Sequence, residues 1–271
     1  MIKKFFRTNI VILLFSIICI IISLNFFINI YAVKNISSDF EKEIDSEYIS
    51  YNNPVFKIDK IAIYSNCHFE PTDDSNPSTL SLDFSLFSDI AIYLSSSYNT
   101  YTSENTAKSI YIDNVIINNN SNTSNLYAKS IYDFGKFVID ENNIIKDFYK
   151  FPISNNGINY DNHEISYDLK NPIILGYVNN KFEQNYVVSD VKEDFKFDGR
   201  LLKKAHITLN DLSSNISFDL HIINNSDEEY ICRVSFPIEL QNTVNTLYEG
   251  DVYYEIKDTN KYIFNKAIKY E

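Results

Sequence analysis

His163 and Glu164 stand side by side, the first half of an H-E-x-x-H pattern in which two histidines one helical turn apart hold zinc and the glutamate serves as base. The second histidine is missing, because Tyr167 fills its place. His68, His206 and His221 are spread widely, so a zinc site would need long-range convergence. The sequence holds no G-x-S-x-G nucleophile elbow, no phosphate-cradling G-x-x-x-x-G-K-[ST] loop and no C-x-x-C pair. No catalytic, cofactor-binding or metal-ligating residue is therefore assigned, and no cofactor is expected.

Oxygen-rich stretches offer weaker chemistry. Asp73 and Asp74 lie in PTDDSNPS, and Asn225, Ser226, Asp227, Glu228 and Glu229 follow one another in a second polar stretch. Neither has the spacing or central glycine of an EF-hand, so both read as solvated loops. Carboxylates are plentiful, yet paired acid and base work depends on their separation in space, which the sequence does not give. Tyr93, Tyr111, Tyr253 and Tyr262 could stack on glycans or form a protein hot spot; as cross-strand partners on an outer sheet face they need no ligand. Cys19 lies inside an apolar run, which leaves Cys67 and Cys232. Those two could pair outside a membrane. Alternatively Cys232, in step with Tyr230, Val234 and Phe236, is a small buried hydrophobe of a strand.

The elements that must position these residues read as strands. Tyr and Phe number 21 and 20, and with abundant Ile and Val they suit pleated surfaces. Leu80, Leu82, Phe84, Leu86, Ile90, Ile92 and Leu94 fall on even positions, with Ser81, Asp83, Ser85, Asp89 and Ser95 between them, which predicts one core face and one wet face. Ser88 interrupts the series, so either two strands with a break or one strand crossing a bend is expected. Further strands are predicted over 109–117, 126–132, 136–140, 144–151, 164–169, 173–178 and 186–189. Residues 216–222 and 230–240 form a hairpin about 224–229, and 251–257 with 261–268 form a second. His206 and His221 sit within alternating strands, out of phase with the apolar sets, which places both on exposed faces. The turn-rich SNNGINYDN, Ser154 to Asn162, is the expected domain boundary. Strand 89–97 and strand 217–226 echo one another faintly, as a duplication or by chance.

Asn9 to Val33 contains no charged residue and is long enough, as a helix, to cross a hydrocarbon core of roughly 30 Å. Lys3, Lys4 and Arg7 precede it and Lys34 alone follows closely, so the positive-inside rule puts the N-terminus in the cytoplasm and the bulk outside. A cleaved signal peptide is the rival; the apolar run exceeds the usual length for one, and no small-residue site follows. Ser37 to Asn53 repeats Phe40, Ile44 and Tyr48 every four residues among acids, a helical stalk or a strand, closed by Pro54.

All four charges of the first 34 residues are basic, which leaves 24 − 4 = 20 basic against 36 acidic side chains, a balance of −16. Nucleic-acid binding requires clustered Lys and Arg and is not expected.

Over Ile174 to Leu240, ILGYVNNKFEQNYVVSD, FDGRLLKKAHITL and NISFDLHIINNSDEEYICRVSFPIEL together resemble single-pass membrane-anchored proteins of low-GC Gram-positive bacteria that have no assigned activity. The resemblance implies an extracytoplasmic location and carries over no catalytic residues.

The resulting expectation is an all-β protein: cytoplasmic residues 1–8, a transmembrane anchor at 9–33, a stalk at 34–53, and two antiparallel Ig-like β-sandwich domains at 54–155 and 156–271. Its partners are the membrane, through one N-terminal helix, and an envelope protein or glycan. The expected role is binding, adhesion or structure in the cell envelope. A carboxylate-based hydrolase or sugar-processing enzyme, and a subunit of an assembled surface complex, are the alternatives.

Overall fold

The computed structural model describes residues 54–73, 79–96, 100–119, 123–155, 157–189, 196–242 and 244–267. The chain divides into two units, Met1–Asn53 and Pro54–Glu271. The anchor and stalk belong to the first and lie outside the described residues, as do the side chains of Asp73 and Asp74. No helix among the described residues is long and apolar enough to cross a membrane.

The second unit is built from antiparallel strands with almost no helix. In chain order they are β1 (Phe56–Asp73), β2 (Thr79–Ser96), β3 (Ala107–Asn118), β4 (Ser124–Ala128), β5 (Ile144–Ile145), β6 (Phe148–Phe151), β7 (Ile153–Ser154) and β8 (Ile165–Ser166). There follow β9 (Ile173–Ser189), a short helix α1 (Arg200–Lys204), β10 (Ser214–Asn224), β11 (Glu229–Ile238), β12 (Val252–Ile256) and β13 (Asn265–Lys266). One sheet has the order β12-β1-β2-β9-β4-β5 and the other β13-β11-β10-β3-β6; β7 and β8 form a small parallel pair.

This topology corrects the expected division at residue 155. β9, from the second half, lies between β2 and β4 of the first, and β10 lies beside β3. One apolar core takes Ile61, Leu82 and Ile90 from the first sheet and Ile110, Phe218 and Val234 from the second. The halves therefore cannot bury their strands separately. The expected C-terminal hairpin is likewise absent: β12 pairs with β1, whereas β13 pairs with β11 in the other sheet. The echoing strands also differ in context, since β10 pairs with its successor β11 while β2 and β3 lie in different sheets.

The alternation in β2 positions its even residues inward as expected, in one continuous 18-residue strand. Ser88 falls on this inner face, where its hydroxyl meets that of Ser65 directly across on β1 at 2.7 Å, so the polar interruption needs no break. The predicted wet face is not wet. Asp83, Ser85 and Asp89 are all buried. Two of them serve irregularities in β9, where Lys181 and Asn185 adopt positive φ and the register with β2 shifts. The Lys181 amide donates to Ser85 Oγ at 2.9 Å and the Asn185 amide to Asp83 Oδ1 at 3.0 Å, so polar side chains of β2 satisfy backbone donors that the ladder leaves unpaired.

Candidate functional site

The third buried acid, Asp89, marks the most unusual polar site. On the outer face of the first sheet it stands opposite Gly176 of β9, which in turn pairs with Tyr127 of β4. Lys129 follows β4 on the same face, two residues after Tyr127. Its stem crosses over Gly176, where a Cβ would come within 3.2 Å of Lys129 Cδ. The missing side chain at 176 is what gives the lysine its path, and Lys129 Nζ reaches Asp89 Oδ1 at 2.5 Å.

The segment after Lys129 closes over the pair. Residues 131–143, predicted to contain strands, instead form two 3-10 turns, Ile131–Asp133 and Glu141–Asn143, joined by irregular chain. Ser130 caps the first turn by accepting from the Tyr132 amide. Gly135 then takes φ of +82°, a left-handed conformation that glycine adopts without strain. This directs its N–H to Asp89 Oδ2 at 2.5 Å, and the Lys136 carbonyl accepts from Lys129 Nζ at 2.7 Å. Aromatic contacts seal the cover: Phe134 lies 6.2 Å from Tyr64, and Phe137 packs against Phe87 and stacks on His68 at 4.1 Å. Sequence reasoning missed this site because Asp89 keeps the parity of a solvent-facing residue. The available signal was the pair Phe134 and Phe137, two large apolar rings in a turn-rich stretch that need a surface to cover.

The Asp89 and Lys129 side chains are only 1% and 6% exposed. Burial pushes the Asp89 carboxyl up, against the opposing attraction of Lys129, and burial pushes the Lys129 amine down, against the attraction of Asp89. Each group is thus driven toward its neutral form. Beside Lys129 is a cavity of about 10 Å³, lined also by Ile131, Phe151, His163 and Ile174, with room for about one water.

No family model matches the sequence, and no curated protein or solved structure matches it either.

A second constellation lies on the outer face of the other sheet. His221 on β10 is 7% exposed, not on an open face as its parity suggests. Tyr111, its cross-strand neighbour on β3, stacks on it at 4.2 Å, and Phe148 packs on Tyr111 at 5.3 Å. His221 Nδ1 meets Glu229 Oε1 at 3.0 Å and Nε2 meets Asp113 Oδ1 at 3.1 Å. Each ring nitrogen thus faces one carboxylate. Tyr111 also donates to Glu229, and burial first, then that carboxylate, pushes the phenol up. The two acids lie at opposite edges of the imidazole and so cannot meet on one ion. Among the described residues no three of His, Cys, Asp and Glu converge as metal ligands.

The remaining candidates are dispersed. His163, at positive φ, ends a 3-10 turn and meets Tyr149 through Nδ1 at 3.2 Å, while Glu164 accepts from the Asn159 amide. His206 sits at positive φ after α1 in a turn region where a strand was predicted. In the loop after β10, Asp227 pairs with Lys108 and Glu228 with Lys266. Cys67 and Cys232 are both free thiols. Cys232 is buried in the core, with its pKa pushed up to about 12, first by burial and then by Asp219. Of the four tyrosines, Tyr253 is exposed and donates to Glu255, Tyr93 lies under Lys60, Tyr111 stacks on His221, and Tyr262 is buried with its hydroxyl on the Ser235 carbonyl.

Proposed function

We propose that this chain is a membrane-tethered extracytoplasmic β-sandwich protein with a binding or structural role in the cell envelope. The observation that carries the reading is the uncharged apolar stretch from Asn9 to Val33, preceded by Lys3, Lys4 and Arg7. The acidic balance of the remainder supports it, since such a surface stays soluble beside a membrane without adhering to anionic headgroups. A binding or structural role is supported by how the polar clusters are spent. Asp89 and Lys129 close a cover, while Asp113, His221 and Glu229 knit three strands of one sheet.

Protease added to intact protoplasts that make the full-length chain tests the placement. The expected result is digestion of the Pro54–Glu271 unit while a cytoplasmic marker survives. Complete protection of that unit would overturn the orientation. Crosslinking the full-length chain in its own membrane tests the role, with capture of a reproducible envelope protein or glycan expected; a chain that crosslinks to nothing would remove the binding reading.

A further inference from the structure

The geometry points to a covalent amide between Lys129 Nζ and Asp89 Cγ, formed by the folded protein itself. This inference does not depend on the membrane placement. The amine and the carboxyl group are already hydrogen-bonded, with Nζ 2.5 Å from Oδ1, and both are enclosed by the 131–143 cover. Holding an amine against a carboxyl in one orientation replaces a bimolecular encounter by an internal step.

The surroundings suit each stage. Burial drives the pair toward amine and carboxylic acid, so a proton passing from Nζ to Oδ1 gives the two reactive forms. The Gly135 N–H on Oδ2 is placed to stabilise negative charge as Nζ adds to Cγ. The Lys136 carbonyl, which accepts from Nζ, orients the amine. The N–C bond forms, the Cγ–Oδ1 bond breaks, and Oδ1 departs as water with two of the three ammonium protons. Oδ2 remains as the amide oxygen on Gly135. One lysine ammonium and one carboxylate thus become one amide and one water, with no oxidant or cofactor required. Two buried charges, each costly to desolvate, are replaced by a neutral group whose oxygen already has a donor. The product ties β2 to the chain after β4 across 40 residues of sequence.

Intact mass spectrometry of the folded full-length chain, its β-sheet spectrum recorded before denaturation, tests this. The expected mass is one water below that of the sequence. Trypsin should leave a branched peptide in which 61–108 is joined to 109–136, uncut after Lys129. Lys129→Arg, which keeps the charge and cannot form this bond, should restore the full mass. A folded wild-type chain at its full sequence mass, cleaved normally after Lys129, would overturn the proposal. So would a missing water that maps to a succinimide at Asp198–Gly199 and not to a branched peptide.

Discussion

Gly176 lies directly beneath the stem of Lys129, so close that a Cβ there would stand 3.2 Å from Lys129 Cδ. Its φ is not in the left-handed region, so space, not backbone conformation, explains the glycine. An alanine in mid-strand normally gains about 0.5–1 kcal/mol over glycine. Here the lysine above is fixed at its tip by Asp89 and the Lys136 carbonyl and cannot swing aside. Overpacking of a filled site costs about 1–3 kcal/mol, so Gly176→Ala should destabilise despite the better strand residue. Urea denaturation of the two chains decides the sign; a more stable variant would show that the stem has room to move.

Removing one member of the Asp89 and Lys129 couple should be far worse than removing both. Lys129→Met leaves a carboxylate buried among Phe87, Phe134 and Phe137 with only the Gly135 amide on it, and breaking a buried pair in this way costs about 3–5 kcal/mol. Asp89→Leu together with Lys129→Met leaves no stranded carboxyl and should recover that part of the loss, whereas whatever the amide cross-link contributes stays lost. Equal stability of the single and double variants would mean the pair carries no such penalty.

The same asymmetry applies on a smaller scale to Ser65 and Ser88, whose hydroxyls face each other in full burial. Either serine changed alone to alanine strands the other hydroxyl, at a cost of about 1–3 kcal/mol. The double alanine variant should lie close to wild type. A thermodynamic cycle over the four chains measures this directly, and additive single effects would contradict it.

How far the sequence carried these conclusions can be judged from single strands. The inward sets of β2, β10 and β11 were legible, because a two-residue period is a local property that any core imposes. Ser88 already showed where the period is interrupted, and only the facing Ser65 explains why no break follows. The interleaving of the halves was not legible, since strand pairing across a hundred residues leaves no local trace. Asp89 shows the same limit for the site: its neighbours in sequence say exposed, while Gly176 and Lys129, distant in sequence, bury it.

Acid should weaken the junction of β1 and β12. Lys60 first, then Tyr253 and Lys257, hold the Glu255 carboxyl at about 2 against an ordinary 4.5. Because the folded value is the lower one, this stabilisation is fully present above about 4.5 and is lost as pH falls toward 2. Lys60 is raised by the same contact, so the pair also weakens when alkali removes the lysine proton. Glu255→Gln should flatten the acid limb of the stability profile over that window. An unchanged slope would show that other carboxylates, such as Asp83 beside Lys181, govern it.

His221→Phe isolates the hydrogen bonds of the second cluster from its ring stacking. A phenyl ring can keep the face-to-face contact with Tyr111 but donates to neither Asp113 nor Glu229. Both carboxylates are partly open to water, and Glu229 retains the Tyr111 hydroxyl, so solvent and that phenol recover part of the loss. The expected cost is therefore about 1–3 kcal/mol in urea denaturation, below that of Lys129→Met. Amide exchange should show where it falls: β10 joins β3 to β11, and the bonds from His221 bridge these same three strands. Faster exchange confined to them would assign the cluster to holding the sheet. Wild-type exchange and stability in the variant would mean that stacking alone keeps His221 in place.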